Sequence, residues 1–190
     1  MAEIRIGYAM TGSFCTFKAA FAQMQALVCA GYGVTPIMSP NAYETDTRFG
    51  RAQDWVRQAQ EITGQEVIHT IAQAEPIGPK ALLDLLIVSP CTGNTIGKLA
   101  CGIYDTAPTL AVKSHRRNGR PVLIAISTND ALASSASGIG MLMNRKGFYF
   151  VPFEQDDFGA KPASCVADFT KILPAAQAAL DGRQLQPLLL

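Results

Sequence analysis

Two short, continuously apolar segments constrain the fold of this chain most strongly. They cover residues 85–88 and 122–126. A strand with one exposed face alternates apolar and polar residues, whereas a strand inside a parallel sheet is apolar on both faces. Each segment is followed at once by turn-forming polar residues, Ser-Pro after the first and Ser-Thr-Asn-Asp after the second. The two segments therefore predict central strands of a parallel sheet that is covered by helices.

The remaining pattern predicts that helices and strands alternate along the chain. Residues 4–9 and 34–38 predict two more strands, and apolar residues recur at helical spacing over 17–29 between them. This β–α–β unit is typical of a doubly wound parallel sheet of the flavodoxin/Rossmann type, with three α/β/α layers. Further helices are predicted over 47–63, 94–101, 107–117, 131–146 and 165–180, a strand over 148–151, and a short strand or helix over 67–71.

The length of the chain and its lack of linker-like segments predict a single domain with a short tail. We expect one domain over residues 1–182, because the chain contains no internal repeat and no low-complexity linker. Residues 183–190, which end in Pro-Leu-Leu-Leu, form a C-terminal tail that is either disordered or a docking strip.

Composition excludes several classes of protein. A hydrophobic content of 48% with 16% charged residues excludes intrinsic disorder. The formal charge of +1 gives no general attraction to nucleic acid or to anionic membranes, so neither is expected as a partner. The first residues lack a signal-peptide pattern, and no apolar stretch is long enough to span a bilayer. These features favour a cytoplasmic protein.

The cysteines and histidines predict no metal site. The five cysteines are odd in number and have no zinc-ligand spacing, so reduced thiols are expected. Four of them fall in predicted helices and are expected in the core, namely Cys15, Cys29, Cys101 and Cys165. The only histidines are His69 and His115.

Small polar residues collect at the ends of four predicted strands, in segments 11–13, 39, 89–95 and 127–129. Ligands of open parallel sheets bind at this edge. None of these turns contains a basic residue, so a phosphate there would depend on hydroxyl groups and on backbone N–H groups at helix N-termini. The sequence of residues 7–12 departs from the GxGxxG pattern, which disfavours a standard NAD site. Each segment could also be an ordinary turn or helix cap.

These same segments resemble a known family. Residues 7–13 (GYAMTGS) are similar to the first-turn motif of the homo-oligomeric flavin-containing cysteine decarboxylases. Residues 89–100 resemble that superfamily's Pro-Ala-Ser-Ala-Asn-Thr segment and retain Asn94 and Thr95, while Asn129 matches the asparagine of its Pro-x-Met-Asn motif. Segments 74–80, 89–95, 125–132 and 149–153 jointly resemble the dipicolinate synthase B-subunit family.

The resemblance implies an oxidoreductase subunit of a spore-forming bacterium. It implies that this chain acts with an A subunit, which carries NAD(P), in oxidising a dihydrodipicolinate-type intermediate of the lysine pathway to dipicolinate in the mother cell. It also implies FMN on this chain, a small dicarboxylate substrate and a homo-oligomer. The alternatives are an independent FMN-dependent decarboxylase, which the lack of a matching histidine motif weakens, and a non-catalytic scaffold subunit of the synthase.

The resemblance also assigns roles to single residues. Asn94 and Asn129 are the implied catalytic residues, and Cys91 and Lys98 are candidate substrate ligands. The implied flavin-binding residues are Thr11, Gly12, Ser13, Ser39, Ser89, Thr92 and Thr95. Cys91 could equally be a small buried residue and Lys98 a surface cation. The basic residues within 113–120 form either a solvated helix end or the surface that meets the A subunit.

Overall fold

A central sheet of seven mostly parallel strands organises residues 3–190, which are the residues that the computed structural model describes. The predicted domain also includes Met1 and Ala2, which lie outside the described residues. The strands are β1 (Arg5–Met10), β2 (Gly33–Met38), β3 (Leu85–Cys91), β4 (Val122–Thr128), β5 (Phe148–Phe150), β6 (Phe153–Glu154) and β7 (Cys165–Ala167).

The parallel strands follow the order β2-β1-β3-β4-β5. This is the flavodoxin-like order, in which the winding direction of the chain reverses between β1 and β3. The last residues of β4 pair in antiparallel fashion with β7, which in turn pairs with β6. The doubly wound α/β prediction is therefore confirmed, with a small antiparallel extension that the sequence pattern does not indicate.

Helices cover both faces of the sheet and complete a three-layer fold. They are α1 (Phe17–Cys29), α2 (Pro40–Glu44), α3 (Ala52–Thr63), α4 (Ile71–Ala74), α5 (Gly93–Cys101), α6 (Ala107–Arg116), α7 (Ala136–Met143) and α8 (Ile172–Leu180). Short 3-10 helices span Phe14–Thr16, Glu75–Ile77 and Phe169–Lys171. Helix α1 packs against α3 and α8, whereas α5 packs against α6 and α7.

The two apolar segments form the centre of the core. Every residue of β3 is buried, and so is every residue of β4 except the last. Helices on both faces remove these strands from water, which explains why their sequences are continuously apolar.

Several predicted elements differ in length from the observed ones. The helix expected from residue 47 begins at Ala52, because Thr47 and Gly50 first close a tight turn through two backbone hydrogen bonds of 3.0 and 3.1 Å. The helix expected over 131–146 is restricted to α7. Of the residues 67–71, Ile68 forms an isolated parallel bridge with Ile37, and α4 starts at Ile71.

The segment from Cys165 is the largest difference. It begins as strand β7, because residues 165–167 pair with β4 and β6, and the helix starts only at Ile172. Cys165 is accordingly buried in a strand. The expected burial of Cys15, Cys29 and Cys101 is wrong, since all three are exposed. Cys29 and Cys101 are the last residues of α1 and α5, beyond the parts of the helices that face the sheet.

The C-terminal segment packs along β5 and β6. Gln184 accepts a hydrogen bond from Phe150 N at 2.8 Å and donates one to Phe150 O at 2.7 Å. Phe153 donates to Leu188 O at 3.0 Å, and Leu190 donates to Phe153 O at 3.1 Å. The segment thus extends the edge of the sheet by one short stretch of backbone pairing.

Candidate functional site

A cleft of about 580 Å³ opens at the carboxyl ends of β1, β3 and β4. It is lined by residues from segments 12–16, 48–49, 92–94, 127–130 and 164–166, together with Asp156 and Lys161. A side cavity of about 490 Å³ adjoins it and shares Gly12, Thr92 and Asn94 with it. Volumes of this size are typical of sites for small organic ligands and cofactors.

Thr11 joins the two loops at the point where the sheet reverses direction. Its hydroxyl donates to Pro90 O at 2.8 Å and accepts from the backbone N–H of Thr92 at 3.0 Å. Its own backbone N–H donates to Pro90 O at 3.2 Å. The loop after β1 and the loop after β3 are therefore held together, and a ligand that contacts both loops needs this fixed arrangement.

The N-terminus of α5 supplies hydrogen-bond donors to the cleft. Thr92 caps this helix by accepting from Thr95 N at 3.4 Å, and the two hydroxyls are 3.1 Å apart. Gly93 and Asn94 are the first helical residues, and backbone N–H groups at these positions have no partner within a helix. Both residues line the cleft, so the positive end of the helix dipole faces it.

A second set of hydroxyls connects the loop after β1 with the end of β4. Ser13 Oγ and Ser127 Oγ are 2.8 Å apart, and Thr16 Oγ1 donates to Ser13 O at 2.9 Å. All three residues line the cleft. This wall of the cleft is therefore neutral and rich in groups that can donate or accept.

Asp130 organises the turn after β4. Its carboxylate accepts from Thr128 Oγ1 at 2.5 Å, from Ser135 Oγ at 2.8 Å and from Ser134 Oγ. The hydroxyls of Ser134, Thr128 and Ser135 hold the pKa of this carboxyl below its usual range. The sequence pattern places Asp130 only in the polar turn that follows the second apolar segment. The following Ser134-Ser135 pair is the signal that indicates a cluster of hydroxyls around this carboxylate.

Most of the predicted site residues lie around these two cavities. Gly12, Ser13, Thr92, Asn94 and Asn129 line the cleft. The side cavity is lined by Thr11, Gly12, Ser39, Thr92, Asn94, Thr95 and Lys98. Ser39 also caps α2, because its hydroxyl accepts from Ala42 N at 3.2 Å.

Ser89 and Cys91 are the exceptions, since they line neither cavity. Strand β3 continues to Cys91 instead of ending at residue 88, so both residues are fully buried inside the sheet. Ser89 Oγ accepts from the phenol of Tyr8 at 3.0 Å, and burial raises the pKa of the Cys91 thiol. The expected ligand contacts of these two residues are corrected accordingly, and Cys91 acts as a small residue of the core.

The cations singled out in the sequence are largely engaged elsewhere. Lys98 Nζ lies 2.7 Å from both carboxylate oxygens of Asp105, and this contact lowers the pKa of the Asp105 carboxyl.

In the basic stretch, Arg116 donates to the carbonyls of Arg120 and Lys146, and Arg120 forms an ion pair with Asp84 at 3.1 Å. These arginines tie loops together at the opposite end of the sheet from the cleft.

Neither histidine lines the cleft. His69 stacks on Tyr43 with ring centroids 3.8 Å apart. His115 is buried, its Nε2 is 2.9 Å from Pro121 O, and burial lowers its pKa to about 4.

Two further findings on the described residues concern metal-binding clusters and membrane-spanning helices. Residues 3–190 contain no group of three acidic, histidine or cysteine side chains placed to hold a metal ion. No helix in this part of the chain has the length and apolar character needed to cross a membrane.

Comparison with known proteins assigns the chain to a family. A family model described as Flavoprotein matches residues 1–146. The chain belongs to the flavoprotein family. Within this family, the B subunit of dipicolinate synthase from Bacillus subtilis (strain 168) is 43% identical to it over 185 residues, which cover 97% of this chain and 92% of the relative.

Solved structures agree with this flavoprotein assignment. The crystal structure of the dipicolinate synthase B subunit from Bacillus halodurans C has a TM-score of 0.91 and 39% identity, and the match covers 100% of this chain and 97% of that one. The FMN-dependent cysteine decarboxylase SpaF has a TM-score of 0.71 at 20% identity, over 95% of this chain and 98% of its own. The last likeness is one of fold alone. The resemblance read from the sequence is confirmed.

Proposed function

We propose that this chain is a flavin-binding B subunit of a dipicolinate synthase. It would act with an A subunit in oxidising a dihydrodipicolinate-type intermediate to dipicolinate. The observation that carries this proposal is the 43% identity with the B subunit of a dipicolinate synthase over 97% of the chain. The polar cleft at the reversal point of the sheet gives the proposal a physical site, because ligands of such sheets bind there.

The donor set of the two cavities fits an FMN phosphate. A phosphate prefers backbone N–H groups, hydroxyls and a helix N-terminus, and among residues 3–190 no acidic side chain lines the side cavity. Gly12, Ser13 and Ser39 would hold the phosphate, and Thr92, Asn94 and Thr95 would line the rest of the flavin. When bound, the flavin supplies a two-electron acceptor, while the protein binds and orients the reactants.

Asn129, together with Asn94 where it borders the flavin, would position the substrate in the cleft. Aromatising a dihydropyridine dicarboxylate removes two electrons and two protons from the ring. The exposed amides of Asn94 and Asn129 can donate to a carboxylate or accept from a ring N–H group. Thr11 and the Ser13–Ser127 contact fix the loops that carry these amides. We infer that NAD(P) is held by the A subunit, since residues 7–12 lack the dinucleotide pattern.

The positions of the histidines favour the synthase role over an independent decarboxylase. His69 and His115 contact Tyr43 and Pro121 and line neither cavity, so neither is available as an acid or base for a substrate in the cleft. We further propose that the protein works in the cytoplasm of the mother cell and as a homo-oligomer.

Two measurements on the purified protein test this proposal. The visible spectrum is recorded before and after incubation with FMN, and dipicolinate formation is then assayed with and without the A subunit. We expect a flavin spectrum and synthesis that needs both chains. A chain that cannot be loaded with FMN would refute the flavin assignment. Full turnover by the A subunit on its own would refute the catalytic role, and decarboxylation without a partner would favour the decarboxylase alternative.

Replacing Asn94 with alanine tests the site itself. The change removes an amide from both cavities but no core contact, so the fold should persist while the activity of the two-subunit complex falls at least tenfold, equivalent to about 1.4 kcal/mol. Asn144→Ala is a matched control, because Asn144 is exposed and lies outside the cleft. Equal activities of the two variants would remove Asn94 from the catalytic residues.

A further inference from the structure

The cleft contains two cationic side chains that sequence reasoning did not single out, Arg48 and Lys161. Lys161 is paired with Asp156, at 3.4 Å between Nζ and Oδ2. Arg48 has no acidic side chain within 4.0 Å among residues 3–190. Arg48 is thus a cation of the cleft that has no acidic partner among the described residues, and its charge is available to a ligand.

Hydrogen bonds and a packing contact fix the position of the turn that carries Arg48. The two backbone hydrogen bonds between Thr47 and Gly50 close it, and Asp46 Oδ1 accepts from Ala52 N at 2.8 Å where α3 begins. A Cβ atom on Gly50 would lie 2.7 Å from a ring carbon of Trp55, so the turn rests directly on that indole. A fixed turn lowers the entropy that Arg48 loses when it binds.

Trp55 in turn anchors the turn to the core. Its ring lies edge-on to Phe17 at 5.5 Å and stacks on Phe21 at 5.4 Å, both of which belong to α1. Helix α1 follows the loop after β1, whose residues Gly12 and Ser13 line the cleft. The Arg48 turn is therefore held at a set position relative to the opposite wall of the cleft.

Arg48 is accompanied by an exposed aromatic ring. The guanidinium carbon lies 4.9 Å from the ring centroid of Phe49, whose side chain is 40% exposed. Both residues line the cleft, and neither lines the side cavity next to Ser39, where the flavin phosphate would bind. A cation beside an apolar ring face suits a flat ring that carries an anionic group.

We propose that Arg48 binds a carboxylate of the substrate and that Phe49 contacts the flat ring that bears it. This inference rests on the proposed function, since it names how the same cleft selects a ring dicarboxylate. A guanidinium pairs with a carboxylate through two parallel hydrogen bonds, which an ammonium group cannot do. Arg48 is then a specificity-determining residue, and Lys161 contributes less because Asp156 already neutralises it.

Isothermal titration calorimetry at low salt tests the inference, with dipicolinate and the monocarboxylate picolinate as stable probes. Arg48→Gln should weaken dipicolinate binding by about 10- to 100-fold, as expected for the loss of hydrogen bonds to a charged group. It should also reduce the preference for dipicolinate over picolinate. Arg48→Lys should retain part of the affinity. Arg57→Gln, which changes an exposed arginine outside the cleft, is the control and should bind like the unmodified protein.

The outcomes separate this inference from the proposed function. FMN titration of Arg48→Gln, followed by the visible spectrum, should match that of the unmodified protein. Loss of FMN binding would instead assign Arg48 to the flavin and overturn the inference. Equal dipicolinate affinity of Arg48→Gln and the unmodified protein, or no dipicolinate binding by either, would also overturn it. Absence of dipicolinate synthesis by the unmodified chain with its A subunit would reject the proposed function, whatever Arg48→Gln does.

Discussion

Replacing Gly93 with alanine perturbs the point where α5 meets the turn after β4. A Cβ atom there would lie 2.6 Å from Asp130 Oδ1 and 2.8 Å from Thr128 Oγ1, and would also crowd Ser135 Oγ. These three polar groups are bonded to one another, because Asp130 accepts from the other two. None of them can retreat from the added methyl group without losing a hydrogen bond.

The expected loss of stability follows from two opposing effects. A hydrogen bond to a charged group contributes about 1.5–3 kcal/mol, and at least one should break at Asp130. Alanine is favoured over glycine inside a helix by about 1 kcal/mol, and by less in the first turn. We therefore expect Gly93→Ala to lower the free energy of unfolding by about 1–2 kcal/mol. It should also weaken FMN binding, because the clash shifts the N-terminus of α5, where Thr92 and Asn94 would line the flavin.

Urea denaturation followed by circular dichroism measures the stability, and FMN titration measures the site. Gly97→Ala is the matched control, since it lies in the same helix and its added Cβ would meet nothing within 4 Å. This control should gain about 0.5–1 kcal/mol in the free energy of unfolding. The reasoning would be refuted if Gly93→Ala were as stable as Gly97→Ala and bound FMN equally well.

Two further variants test other parts of the fold. Burial lowers the pKa of His115 to about 4, so the folded protein binds fewer protons than the unfolded chain and loses stability as the pH falls from about 6.5 towards 4. In His115→Gln this loss should shrink, by as much as about 3 kcal/mol, and parallel stability profiles would contradict it. Gln184→Ala leaves the N–H and C=O of Phe150 without their partner and should cost about 1–2 kcal/mol in urea denaturation. Gln177→Ala, an exposed change on α8, should alter stability by less than about 0.5 kcal/mol, and equal losses would refute the role of Gln184.

The candidate site could be predicted from the sequence in its location but not in all its members. Gly12, Asn94 and Asn129 lie within three residues of the ends of β1, β3 and β4, and parallel strands bring such residues to one edge of the sheet. Arg48 could not be found in this way. It reaches the cleft because its turn rests on Trp55, which packs against a helix more than thirty residues earlier in the chain.

Local sequence patterns are enough to specify the layered α/β fold and the edge of the sheet where a ligand binds. Continuous apolar segments and helical periodicity can be recognised within β3, β4 and α1 themselves, because each element must present apolar residues to the core that covers it. Packing between distant parts of the chain sets two other features: β3 runs on to Cys91, which buries Ser89 and Cys91, and residues 165–167 form a strand. Both outcomes depend on hydrogen bonds to distant strands, and local sequence carries little information about such long-range pairing.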